Sequence, residues 1–128
     1  MEIGDVQTTV VLAKPHWNAT GIQMRAGERY SMNATGRWVD WFIPHGPEGD
    51  PSDSFYMKAY EPFRRMKNEN WFELIGALNS DMTTAFPIGK ARDYEAQSSG
   101  ELTCFANDVE GFYFNNYGQV TLSVTRTA

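Results

Sequence analysis

At 128 residues the chain has the length of one domain, 1–128, and can bury a core without covalent staples. Its 8 Phe, 6 Tyr and 4 Trp exclude a disordered segment. A net charge of -5, from 11 basic and 16 acidic residues, has no basic stripe denser than Arg64, Arg65 and Lys67. Nucleic acid is therefore excluded as a partner, while a divalent cation suits the acidic surface.

The N-terminus, Met1-Glu2-Ile3-Gly4-Asp5, is acidic where a secretory signal would be basic. No apolar run reaches the ~20 residues of a membrane span. The expectation is a soluble chain, cytoplasmic or exported without a Sec-type signal, with no membrane insertion.

Residues 6–13 read as a first strand that Pro15 stops. Residues 21–25 alternate and end at the turn Ala26-Gly27-Glu28. Alternation returns at 30–34 and continues at 37–42 after Gly36. The run 71–78 is apolar, and 120–125 is the clearest alternation of all. Period two over these segments means strands with one buried face. No long amphipathic helix is found; 53–67 has room for one helical turn. Many short strands separated by turns indicate a sandwich or barrel.

Asn-Ala-Thr-Gly occurs at both 18–21 and 33–36 and matches a glycosylation sequon twice; it reads as chance similarity between strand-end turns. Residues 43–70 form the longest irregular stretch, and its aromatics (Phe55, Tyr56, Tyr60, Phe63) argue that it packs. Cys104, the only cysteine, shares parity with Leu102 and reads as a buried small hydrophobe.

Catalytic signals are weak. The two histidines, His16 and His45, lie apart with no nucleophile turn, and one cysteine does not make a zinc site. No carboxylate pair is singled out by spacing. Gly46-Pro47-Glu48-Gly49-Asp50 is a turn whose acids repel phosphate. The chain therefore reads as a non-enzyme.

One loop stands apart: Asn107-Asp108-Val109-Glu110-Gly111-Phe112-Tyr113-Phe114-Asn115-Asn116-Tyr117-Gly118. A carboxylate at one end and two adjacent carboxamides at the other present hard oxygens to one point, which is what Ca2+ takes. The spacing is not that of an EF-hand. An ordinary hairpin loop has similar composition. Asp40 and Asp50 border strands and are placed to face this loop or to stand as solvated turn acids.

This loop resembles that of the calcium-dependent galactophilic (PA-IL-type) bacterial lectins, Asn-Asp-Val-x-Gly-x-Tyr-x-Asn-Asn-x-Gly. Gly-Pro-x-Gly-Asp, here Gly46 to Asp50, and Gly-Ala-Leu, here Gly76 to Leu78, agree in order, and the similarity runs from about Thr20 to the C-terminus. The resemblance implies an all-β fold, a small sandwich of two curved antiparallel sheets (galactose-binding-domain-like). It implies one Ca2+ held by Asp108, by the carboxamides of Asn115 and Asn116, and by backbone carbonyls matching Phe112 and Asp40. Two sugar hydroxyls would complete the shell, with Asp108 and Asn115 hydrogen-bonding them and Val109 in apolar contact. Partners would be galactose-type glycans or glycoconjugates, and weak single sites imply a homo-oligomer or another multivalent setting. The family's sugar-contacting His-Pro and Gln have no match; Asp53, Ser54 and Tyr56 stand nearest, and 52–70 is longer than in the family. The alternatives are a structural or protein-interaction domain in which calcium pins the loop with altered or lost sugar binding, and a carbohydrate-active enzyme or its accessory module.

Overall fold

The computed structural model describes residues 1–50 and 60–128. Among the described residues, nine strands build two antiparallel sheets: β1 (Val6–Leu12), β2 (Asn18–Met24), β3 (Arg29–Asp40), β4 (Ile43–His45), β5 (Leu74–Leu78), β6 (Asp81–Pro87), β7 (Ala91–Glu95), β8 (Gly100–Ala106) and β9 (Asn116–Arg126). The first sheet runs β1-β9-β3-β4, and the second β2-β8-β5-β6. The far edge of β3 is shared, with β7 along Arg29 to Asn33 and β4 along Trp38 to Asp40. This is the all-β sandwich expected from the alternation.

Long β3 and β9 form the spine. Tyr30, Met32, Ala34 and Trp38 point inward from β3, and Val120, Leu122 and Val124 from β9. Period two places these on one face, where they meet Leu74, Leu78, Leu102, Cys104 and Ala106 of the other sheet. Cys104 is fully buried, and burial pushes its thiol pKa up, so it is a core residue as its parity with Leu102 implies. Trp38 is fully buried; its indole N–H donates to the Phe72 carbonyl at 3.0 Å and its ring packs against that of Phe72.

Three local outcomes differ from the sequence reading. Residues 37–42 do not all stay extended: β3 ends at Asp40, and Trp41, with φ 57°, turns the chain into β4. β6 and β7 carry mixed, largely exposed patterns and have no clean alternation to reveal them. The Asn-Ala-Thr-Gly copies are not strand-end turns. The first opens β2, where the buried Asn18 accepts from Leu12 N–H and donates to the carbonyls of Leu12 and Cys104, tying the two sheets together. The second runs inside β3. The room for a helical turn in 53–67 is filled, among the described residues, by a 3₁₀ turn at Glu61–Phe63.

Glu73, at the entry to β5, is almost fully buried. Burial pushes its pKa up to about 7, helped by the charge of Glu69 and opposed by the Asn70 N–H and Arg92. In the unfolded chain the carboxyl ionises near its usual value, 4.5. Between these values the unfolded state binds fewer protons, so stability declines as pH rises from about 4.5 through about 7. Glu73→Gln is expected to flatten part of that slope, measured as melting temperature against pH. An unchanged slope would show that Glu73 is not among its sources.

Candidate functional site

The loop between β8 and β9 is built from both sides of the sandwich. Asn107, fully buried, accepts from Met66 N–H at 2.9 Å through Oδ1 and donates from Nδ2 to the carbonyls of Met66 and Asn70. Its backbone carbonyl accepts from Phe72 N–H at 2.7 Å. Four bonds from one residue thus staple the segment 66–72 against the loop. Arg64 pairs as an isolated bridge with Val109, and Arg65 N–H donates to the Asp108 carbonyl.

The loop's return is a 3₁₀ turn, Glu110–Asn115. Tyr113, on its inner side, donates its hydroxyl to the Ala106 carbonyl and accepts from Arg65 at 3.0 Å. Burial pushes its pKa up to about 12. The Arg65 guanidinium lies 3.5 Å from the Phe105 ring centroid, with Trp17 and Tyr113 also within stacking reach. It also donates to the His16 carbonyl. Arg65 therefore covers the outward face of Phe105 and fixes Tyr113 in one move. The basic cluster of Arg64, Arg65 and Lys67 is thereby largely absorbed: Arg64 is 7% exposed and stacks on Trp71.

The oxygens at the loop's two ends are the unusual feature. Asp108 is buried; its Oδ1 accepts from Val109 N–H at 2.7 Å, while Oδ2 has no hydrogen-bond partner. Asn116 is fully buried and donates Nδ2–H to the Ala13 carbonyl, but its Oδ1 is also unpartnered. The Oδ1 of Asn115 is buried and unpartnered too. Buried polar atoms without partners are rare in native folds and call for an explanation such as an ion. Three side-chain oxygens, from the carboxylate and both carboxamides of one loop, are therefore left with free lone pairs. They match the hard-oxygen donor set calcium takes, so these residues fit the ion.

Burial, helped by the nearby charge of Asp40 and opposed by the Val109 N–H and the Asn116 carboxamide, raises the Asp108 pKa to about 7. Burial raises Asp40 as well. Asp40 thus stands close to Asp108, at the end of β3 and opposite Asn116 on β9. Phe112 lies in the 3₁₀ turn, its N–H bonded to the Val109 carbonyl and its ring against Tyr60. Val109 is half-buried at the loop's start.

Asp50 sits elsewhere in the end region, bridging backbone to backbone with Trp71 and lying 3.8 Å from His45. Gly49, at φ +72°, is pressed so close to the Trp71 carbonyl that a Cβ would lie 2.5 Å from it, which accounts for the glycine of that turn. Asp53, Ser54 and Tyr56 lie outside the described residues. Around the loop, Trp41, Phe42 and Phe114 are exposed aromatics, and Trp41 N–H bonds the Asn115 carbonyl at 2.9 Å.

Sequence reasoning did not single out Arg65, Tyr113 or the stapling role of Asn107. Tyr113 and Asn107 lie within the motif, but the partners that fasten them to the segment 65–72 come from 35 to 48 residues away, and nothing local marks those pairings.

The fold belongs to the class of two-sheet antiparallel sandwiches with an oxygen-rich loop at one end. Among solved structures it is similar to one described as the EclA N-terminal domain, a PllA-like lectin: the TM-score is 0.66 at 23% identity, over 93% of this chain and 94% of that chain. No family model and no curated protein matches the sequence.

Proposed function

We propose that this domain is a calcium-dependent carbohydrate-binding module, a binder rather than a catalyst, with galactose-type glycans as its first candidate ligands. The observation that carries the reading is the trio of unpartnered buried oxygens on Asp108, Asn115 and Asn116. The fold likeness to a PllA-like lectin supports it independently.

Each residue has a task in this reading. Asp108 supplies charge, and Asn115 and Asn116 supply neutral oxygens that hold the ion without saturating its appetite for further oxygen donors. Calcium held by these three residues would supply Lewis-acid attraction for the vicinal hydroxyls of a sugar. Val109 and the exposed Trp41 and Phe114 supply apolar surface beside a polar ligand, the mixed lining usual for small-molecule sites. The segment 64–72, fastened by Asn107, forms a neighbouring wall. A single open site with Kd near 1 mM is worth only about -4 kcal/mol, so adhesion calls for several linked copies, and a homo-oligomer fits.

The test is calorimetry with calcium first and galactose second. Calcium uptake, followed by a galactose heat that vanishes with chelator, is the expected result. Calcium uptake with no ligand on a glycan array replaces this reading with that of a calcium-pinned interaction domain, and a protein that takes no calcium ends it.

A further inference from the structure

We infer that the Asp40 side-chain carboxylate is a second anionic ligand of the cation, so that the centre holds calcium through two acids. The inference rests on the calcium reading above and goes beyond it in assigning a ligand that sets the balance between ion and sugar.

Backbone geometry comes first. Trp41 N–H donates to the Asn115 carbonyl, and Asp40 stands opposite Asn116 in the register. A bonded pair at Trp41 and Asn115 makes Asp40 and Asn116 a non-hydrogen-bonded pair, whose Cα atoms approach to about 4.5 Å with side chains in contact on one face. In a trans peptide the C=O points opposite to the following N–H, so the Asp40 carbonyl turns away from Asn115. The side chain does the reverse. Its parity is that of Ala34 and Trp38, the inward face of β3, which is also the face on which Asn116 is buried.

Chemistry follows. Asp40 shares its face of the sheet with Asn116, whose Oδ1 is unpartnered, and its charge acts on Asp108, whose Oδ2 is unpartnered too; those two residues are 0% and 4% exposed. Neither Asp40 nor Asp108 forms an ion pair among the described residues. Two neighbouring acids withdrawn from water repel each other, and a divalent cation between them cancels both charges. A neutralised centre grips calcium harder and draws neutral hydroxyls more weakly than a one-acid centre. Asp40 thereby trades sugar affinity for ion retention.

Calorimetric titration of calcium into the parent, Asp40→Asn and Asp40→Ser tests this, with melting temperatures taken after chelation. Asp40→Asn keeps the backbone and the shape while deleting the charge. Its calcium affinity is expected to fall about tenfold or more, in line with tuning by ligand charge, while the metal-free variant melts above the metal-free parent. Asp40→Ser gives the same answer should the carboxamide disturb the loop. Variants that bind calcium as tightly as the parent overturn this assignment alone. A parent that takes up no calcium overturns it together with the calcium reading.

Discussion

Asp108→Asn is expected to abolish calcium uptake and, with it, the calcium-dependent rise in melting temperature. At free calcium about 100 times Kd, the parent gains about 2.7 kcal/mol from binding. For a domain of this size that is a rise of roughly 10 °C, which the variant loses. Without metal, the same substitution has the opposite sign. The folded carboxyl ionises only near 7, against 3.8 ordinarily. The unfolded chain therefore gives up its proton first as pH rises. Stability that is present below about pH 4 is lost progressively through about pH 7. Asn never ionises, so at pH 8 the metal-free variant melts above the metal-free parent. Calcium and the proton compete for Asp108, so the parent's calcium affinity weakens as pH falls below about 7. Scanning calorimetry with and without chelator reads all of this. A variant that retains the calcium-dependent shift removes Asp108 from the site.

The second large effect belongs to Trp38. Trp38→Ala deletes a fully buried indole and leaves the Phe72 carbonyl without its donor. Loss of so large a side chain costs about 3–5 kcal/mol, out of the 5–15 kcal/mol typical of a domain. Denaturation in guanidinium should show the midpoint falling with little change in slope. Trp38→Phe keeps much of the volume but loses the hydrogen bond, for about 1–3 kcal/mol. Both variants are also expected to weaken calcium binding. Trp38 sits two residues before Asp40, and Phe72, its partner, donates its N–H to the Asn107 carbonyl at the root of the loop. Wild-type stability in Trp38→Ala would mean that the two sheets do not depend on this contact.

The sandwich was legible because alternation reports burial directly. β3 and β9 have a buried face of Met, Trp, Val and Leu, and a period of two admits one structure, whereas β1 buries only Val11. β6 and β7 were not legible, because edge positions leave most of their side chains in solvent and so select no pattern. The end of β3 was overextended by two residues. Trp41 and Phe42 look like strand residues, yet the backbone at Trp41 takes a left-handed conformation to start the turn. Propensity at such a position yields to the geometry of the hairpin.

For the loop, residue types alone named Asp108, Asn115 and Asn116 as a possible oxygen cluster, since few other side chains offer so many lone pairs in so short a span. Whether those oxygens are quenched by neighbouring N–H groups is a question of three-dimensional placement. The fold answers it: Asn107 spends its hydrogen-bonding capacity on segment 66–70, while Asp108, Asn115 and Asn116 each keep one oxygen free. The same placement set Asp40 opposite Asn116 rather than in a solvated turn, through a register that spans 76 residues of sequence. Local chemistry thus determined which groups carry spare oxygen lone pairs. Long-range strand pairing decided which of them end up buried without partners, because only the closed sandwich withdraws them from water while leaving those oxygens unbonded.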